Sequence, residues 1–300
     1  MPILVPIPPR PQIINTATVA PGITLIKGSE RLTLSMANGW LILDGVEGLD
    51  DPPRALVEIE PAAGDGSIFT DSRYTAREVF FPVHMYATTT VALREKMRLL
   101  AAFTAGDLTL EVAHPDGTLR RIDGRLSRQF GQTMGAAEGR LWRMVGLALR
   151  CFDPFFYGEN RSLSWVIGGE PVEFLSEEFL PIGLDNSQVL GEAVITNSGD
   201  AHAYPVWTVT GPCDSLDIEV GDTAWSVPDG LADDETLVID GRRGVKTCEI
   251  DGTSAWGRLA AGSVIGTLPP GDTLLDGEAV GATSATTITV EWRERWLTAW

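Results

Sequence analysis

Glycine and proline cut this chain into pieces too short for most helices. With 32 glycines and 19 prolines in 300 residues, only one stretch keeps a helical period for long enough to matter. Across 91–105, apolar Leu93, Met97 and Leu100 recur at i, i+4 and i+7, while Arg94, Glu95 and Arg98 take the other side. Thr88, Thr89 and Thr90 offer N-cap oxygens, and Gly106 is a fitting stop. A helix this short is marginal alone and must pack on something. The flanking residues predict that the something is a sheet.

Leu108, Leu110 and Val112 alternate with polar residues up to His114-Pro115-Asp116-Gly117, a hairpin-turn signal. The return strand puts Ile122, Gly124 and Leu126 on one face and Arg121, Asp123 and Arg125 on the other. Residues 140–151 are apolar on both faces and read as a central buried strand, although periodicity alone does not separate this from a helix. Residues 78–86 are aromatic-rich, with Pro82 marking an edge or a bulge. The second half has no helical pattern. Short strands are expected over 192–197, 204–210, 216–220, 235–240, 246–250 and 286–293. Asp240-Gly241, Asp251-Gly252, Pro269-Pro270-Gly271 and Asp276-Gly277 punctuate them as turns. That rhythm describes an antiparallel sandwich.

Charge divides the chain. Residues 1–155 carry 16 basic and 17 acidic side chains, whereas 156–300 carry 7 and 24, within a total of −18. The shift falls beside Tyr157-Gly158-Glu159-Asn160, a turn-like segment, and predicts two domains, 1–157 and 158–300. The alternative is one large domain with an acidic flank. So acidic a protein is repelled by phosphates, which disfavours conventional nucleic-acid binding. Cys151, Cys213 and Cys248 are odd in number and lack C-x-x-C spacing. They argue against a disulfide scaffold or zinc site and suit a reducing compartment. No run of 18 apolar residues is present, so no membrane insertion is expected. The opening MPILVPIPPRPQ lacks the basic start and unbroken apolar core of a signal peptide. Its five prolines favour an extended arm over 1–12, either free or docked on a neighbour.

A search for chemistry comes back thin. His84, His114 and His202 stand singly, without the spacing of a metal-binding motif. The chain has no Gly-x-Ser-x-Gly elbow, phosphate loop or dinucleotide fingerprint. Asp229, Asp233, Asp234 and Glu235 form an acidic run that offers oxygens for calcium but lacks EF-hand spacing. With 41 acids, carboxylate pairs are always on offer, and the separation that glycoside hydrolysis needs is spatial. The expectation is a protein with no catalytic residue, cofactor or metal.

Several strings gain meaning from their order. Leu43-Asp44-Gly45-Val46-Glu47-Gly48-Leu49 comes first, then the helix, then the Asp116-Gly117 hairpin with its Arg120-Arg121-Ile122-Asp123-Gly124 return. The buried strand then runs into Cys151-Phe152-Asp153-Pro154-Phe155-Phe156-Tyr157-Gly158. In the second half come a strand with Pro205 and Trp207, Leu237-Val238-Ile239-Asp240, and Leu268-Pro269-Pro270-Gly271-Asp272. This order resembles the distal tail proteins of long-tailed bacteriophages, the siphophage tail-tip components.

The resemblance implies a mainly β fold with one helix. A tail-tube-like β-sandwich or barrel packed with the α-helix is followed by a galectin-like antiparallel β-sandwich. It also implies a structural virion protein at the distal end of the tail, made in the host bacterial cytoplasm. Such a protein forms a homo-hexameric ring. The ring joins the tail tube protein and the tape-measure end to the tail hub and the receptor-binding or baseplate proteins, and DNA passes through its lumen without specific binding. A closed ring needs a head-to-tail interface, for which the mixed-charge face of Arg121, Asp123 and Arg125 is one candidate and the proline-rich arm another. Asp153, Pro154, Tyr157 and Gly158 form the expected interdomain hinge. Pro154 ends the ladder by lacking an amide, the aromatic residues staple the first core, and Gly158 lets the chain change direction.

A galectin-like fold raises sugar binding, but His202 has no nearby Asn-x-x-Arg partner and fold alone does not carry function. The competing readings are a tail-tube subunit, a cell-wall hydrolase, and a carbohydrate-binding module that stacks sugars on Trp207, Trp225 and Trp256. Trp292, Trp296 and Trp300, spaced by four, suit a helical stripe, an anchoring tail or core packing.

Overall fold

The computed structural model describes residues 22–128, 139–167 and 193–300; the proline-rich arm lies outside them. The first half opens with β1 (Gly22–Lys27), β2 (Glu30–Leu34) and β3 (Trp40–Ile42). A hairpin of β4 (Arg54–Ile59) and β5 (Ile68–Tyr74) follows, then β6 (Arg77–Tyr86). The helix α1 (Thr90–Thr104) precedes β7 (Asp107–Ala113), β8 (Leu119–Leu126) and β9 (Trp142–Cys151). Seven of these strands pair antiparallel in the order β2-β1-β7-β8-β9-β6-β3, and the outer two approach each other so that the sheet curls. The helix packs on β1, β6 and β7, burying Leu93, Leu100 and Phe103. The Thr89 hydroxyl accepts from the Ala92 amide at 3.1 Å as N-cap. Lys27 Nζ donates to the carbonyls of Ala102 and Ala105 at 2.6 and 2.7 Å, placing a cation at the helix C-terminus.

β10 (Phe156–Ile167) leads into the second half. There follow β11 (Ala193–Asn197), β12 (Val206–Thr210), β13 (Ser215–Val220) and β14 (Thr223–Val227). Next come β15 (Thr236–Asp240), β16 (Thr247–Ile250) and the two-residue β17 (Thr253–Ser254). The long pair β18 (Gly271–Val280) and β19 (Thr286–Trp296) completes the set. The sheet β11-β18-β13-β14 faces the sheet β17-β16-β15-β12-β19-β10. Between them lies a core built on Trp207, Val209, Leu216, Ile218, Ile239 and Val290. A separate core fills the first half around Leu25, Phe81, Leu100, Leu110 and Leu147, and it also takes in Phe156, Trp296 and Ala299. Among the described residues no helix is long and apolar enough to cross a membrane.

The mainly β architecture with one helix and antiparallel sheets agrees with the sequence, and several local expectations need correction. Tyr157–Asn160 is not a turn. β10 runs through it, pairing Tyr157 with Arg295 and Asn160 with Arg293, and absorbs the one extra residue as a bulge. The edge or bulge predicted at Pro82 is absent, because β6 lies between β3 and β9 in unbroken register through Pro82↔Gly146. The Pro82 carbonyl accepts from the Leu43 amide. The proline's missing N–H faces Leu43 on that same side, so the return bond of this pair is not made and β3 ends at Ile42. Asp276-Gly277 is likewise no turn. Both lie mid-strand in β18, opposite Glu219 and Ile218.

All three cysteines are free and buried, Cys151 in the first half and Cys213 and Cys248 in the second. Burial pushes the Cys151 thiol up to about 12, and it raises the other two as well. Native protein at pH 8 should therefore react with a thiol reagent far more slowly than protein in urea, where all three become accessible. A raised thiol pKa stabilises the fold fully below the unfolded value near 8.5 and loses that contribution as pH rises toward 12. Urea midpoints should accordingly fall between pH 9 and pH 12, and a flat profile over that interval would contradict the burial.

Candidate functional site

Three features gather the polar and exposed side chains, and the first is the junction between the cores. β10 joins them by pairing Tyr157 with Arg121 of β8 on one edge and with Arg295 of β19 on the other. The Tyr157 hydroxyl donates to Asp153 Oδ2 at 2.6 Å. Arg295 Nη2 donates to Asp153 Oδ1 at 3.0 Å, and its Nη1 donates to the His202 carbonyl at 2.9 Å. The same guanidinium lies 4.0 Å from the Phe155 ring centre and 4.8 Å from that of Tyr204. Burial, then the neighbouring Asp153 charge, raises the Tyr157 pKa well above its ordinary value.

Asp153, Pro154, Tyr157 and Gly158, expected as a hinge, lie where β10 begins, and the backbone does not turn at Gly158. Its back lies against the β19 side chains, where an added Cβ would come within 3.2 Å of the Trp296 indole nitrogen and 3.4 Å of a Glu294 carboxylate oxygen. Close approach, and not a change of direction, is what favours glycine here.

The second feature is the outward face of β8. Register sets Arg125 opposite Asp107, Asp123 opposite Thr109 and Arg121 opposite Glu111. Arg121 Nε donates to Glu111 at 2.8 Å, Thr109 donates to Asp123 at 2.5 Å, and Arg125 Nη2 donates to Asp107 at 2.7 Å. Arg31 also donates to the buried Glu111 carboxylate. The three residues do share one face, and each already has a partner within the chain. Beside this face, a groove of about 680 Å3 runs between the halves, bordered by Arg293, Arg242, Tyr204 and an exposed Phe152.

The third feature is a loop and the strap that seals it. Residues 43–50 fold against β6, with Glu47 exchanging backbone hydrogen bonds with Phe80. Gly48 has φ +81°, and an added Cβ would sit 2.1 Å from the Glu78 carbonyl oxygen, so both conformation and space demand glycine. Arg77, fully buried, donates to the carbonyls of Gly48 at 2.9 Å and Asp50 at 2.7 Å. It reaches a third carbonyl, on Leu297, at 2.5 Å. Residues 297–300 thus return to the first half. The Ala299 amide donates to Leu49, and the Trp300 indole donates to Asp50 at 2.7 Å.

The tryptophans at 292, 296 and 300 therefore belong to neither helix nor stripe. Trp292 packs in the second core and Trp296 on the first, both from β19, while Trp300 is exposed beside His114. Of the three indoles that would stack sugars, Trp207 and Trp225 are buried and only Trp256 is open. His202 Nδ1 lies 2.8 Å from the Thr267 hydroxyl. Glu235, from the acidic run, accepts from the Ala232 amide at 2.9 Å and pairs with Arg258 at 3.5 Å. No cluster of His, Cys, Asp and Glu among the described residues is arranged to hold a metal ion.

The arrangement, a curled sheet with its helix joined through one strand to a two-sheet sandwich, has counterparts among solved structures. The SPP1 Dit (gp 19.1) protein, described as a paradigm of the hub adsorption apparatus in phages infecting Gram-positive hosts, superposes with a TM-score of 0.65. It is 16% identical, with 91% of this chain and 98% of that one covered. The chain has the fold of a phage distal tail protein. A chain of the phage P2 baseplate in its activated conformation with Ca shares the distal-tail fold at a TM-score of 0.51. It is 9% identical, over 90% of this chain and 97% of that one. The corresponding structure with Sr gives 0.50. No family model matches the sequence, and no curated protein does.

One element of this distal-tail fold escaped the sequence. The β4–β5 hairpin forms a sheet of its own. Its base is held where Arg54 stacks at 4.8 Å on Tyr74 and Tyr74 meets Phe155 edge-on at 5.2 Å. Beyond that base Leu56, Val57, Ile59, Ile68 and Phe69 are all exposed, each by 44% or more. The only hint in the sequence was a polar stretch containing apolar residues with no partner pattern.

Proposed function

We propose that this chain is a structural subunit of a long phage tail, with no catalytic role. Six copies form a ring at the distal tip that joins the tail tube and tape-measure end to the hub and the receptor-binding or baseplate proteins. DNA passes through its lumen. The observation that carries this reading is that the likeness to a hub adsorption protein spans both halves and the strand between them, so the shared feature is the whole arrangement and not one common sandwich. In this reading the division falls at 157/158, supported by the two separate cores. Asp153, Pro154, Tyr157 and Gly158 then act as a fixed joint. Arg121, Asp123 and Arg125 offer a charged face for contact with neighbours, although their charges are largely spent within the chain.

Negative-stain electron microscopy of purified full-length protein, over a concentration series, tests the reading. Sixfold rings are the expected result, and a strictly monomeric species at the highest concentration would overturn it. Assembly that stops at one or two rings separates a tip adaptor from a tube subunit, which would continue into cylinders.

A further inference from the structure

The β4–β5 hairpin poses a physical problem that the isolated chain does not solve. Two strands alone are marginal in water, and these carry five exposed large apolar side chains on one projection. Apolar surface of that kind marks a contact. Its outer part, residues 56–69, holds Glu58, Glu60 and Asp65 and no cation.

A second and different apolar patch lies elsewhere on the first half. Met36, Tyr86, Val91 and Leu141 are all exposed. They are drawn together where the Tyr86 hydroxyl donates to the Met36 carbonyl at 2.6 Å, the Ala87 amide donates to the Leu141 carbonyl at 2.9 Å, and α1 begins. The charge around this patch is positive on balance, because Arg94, Arg98 and Arg140 outnumber Glu95, all four exposed.

We propose that the β4–β5 hairpin of one copy lies across the Met36–Tyr86–Val91–Leu141 patch of the next, with its carboxylates facing Arg94, Arg98 and Arg140. The partner is a second copy of this chain because the two patches are unlike in shape and opposite in charge. Each copy offers one hairpin and one patch, so a head-to-tail repeat of the contact pairs opposite charges and closes into a ring, while the same pairing made reciprocally would stop at a dimer that microscopy distinguishes. The inference rests on the ring reading above and names the surfaces that would make it.

Full-length Phe69→Asp and Leu141→Asp are compared with wild type by mass photometry and electron microscopy, with circular dichroism to verify folding of these surface variants. Each should lower the ring population at least tenfold. An equimolar mixture of the two should give dimers, since the intact hairpin of one meets the intact patch of the other. Arg94→Glu with Arg98→Glu should also abolish rings, and adding Glu58→Arg with Asp65→Arg to the same chain should restore them. Wild-type rings that persist in both single variants, or a mixture that stays monomeric, would overturn the proposed surfaces while leaving the ring intact as a reading. Absence of rings from wild type would remove both.

Discussion

Replacing Arg77 by methionine is expected to cost about 3–5 kcal/mol of folding stability, the range for stripping the partner from buried charged hydrogen bonds. Three backbone carbonyls, on Gly48, Asp50 and Leu297, receive protons from this one fully buried side chain. Methionine fills similar volume but donates nothing, so all three oxygens lose this donor in a part-buried site. The damage should be local first. Amide exchange at 48–50 and 297–300 should accelerate before the sheets respond, because Arg77 is the side chain that ties these two segments to β6 at once. Lysine, with a single compact charge in place of a planar fork, should recover only part of the loss. Urea midpoints for the three proteins, with exchange mapped by mass spectrometry, give the answer; an Arg77→Met protein as stable as wild type would refute the role.

The second large effect lies in the other core. Trp207 is fully buried between the sheets of the second half and meets Trp225 edge-on at 6.0 Å. Truncation to alanine removes one of four tryptophans in that core, itself wholly buried, and should cost about 3–5 kcal/mol. The indole N–H has no hydrogen-bond partner there, so Trp207→Phe discards an unpaired donor along with some packing and should cost markedly less than alanine. Thermal unfolding of the pair separates the contributions. Equal losses for phenylalanine and alanine would show that shape complementarity, and not volume, holds the sandwich.

How much of this was legible depended on whether a residue's partner was near in sequence. The helix, its threonine cap and the β7–β8 hairpin are local structures, and the spacing of Leu93 and Leu100 or the Asp116-Gly117 turn announces them directly. β18 was missed because Asp276 and Gly277 are turn formers that tertiary pairing with β13 overrides. Trp292 and Trp296 were ambiguous because a spacing of four suits a strand's two-residue period as well as a helix's. The reasons for Asp153 and Gly48 were invisible for a different cause. Their partners, Arg295 and Glu78, lie 142 residues away for the one and across a loop for the other, and no spacing rule links them. The hairpin was unreadable because its apolar residues face no core, so no burial pattern marks them.

Arg77's third carbonyl belongs to a residue 220 positions downstream, and that distance has a temporal meaning. A ribosome delivers the first half, then the whole sandwich, and only afterwards Leu297 and Ala299. The nascent curled sheet must wait, incompletely sealed, until those two residues have emerged. The strap therefore couples the sealing of the first half to residues made after the entire sandwich, so the two halves mature in an order set by this one contact.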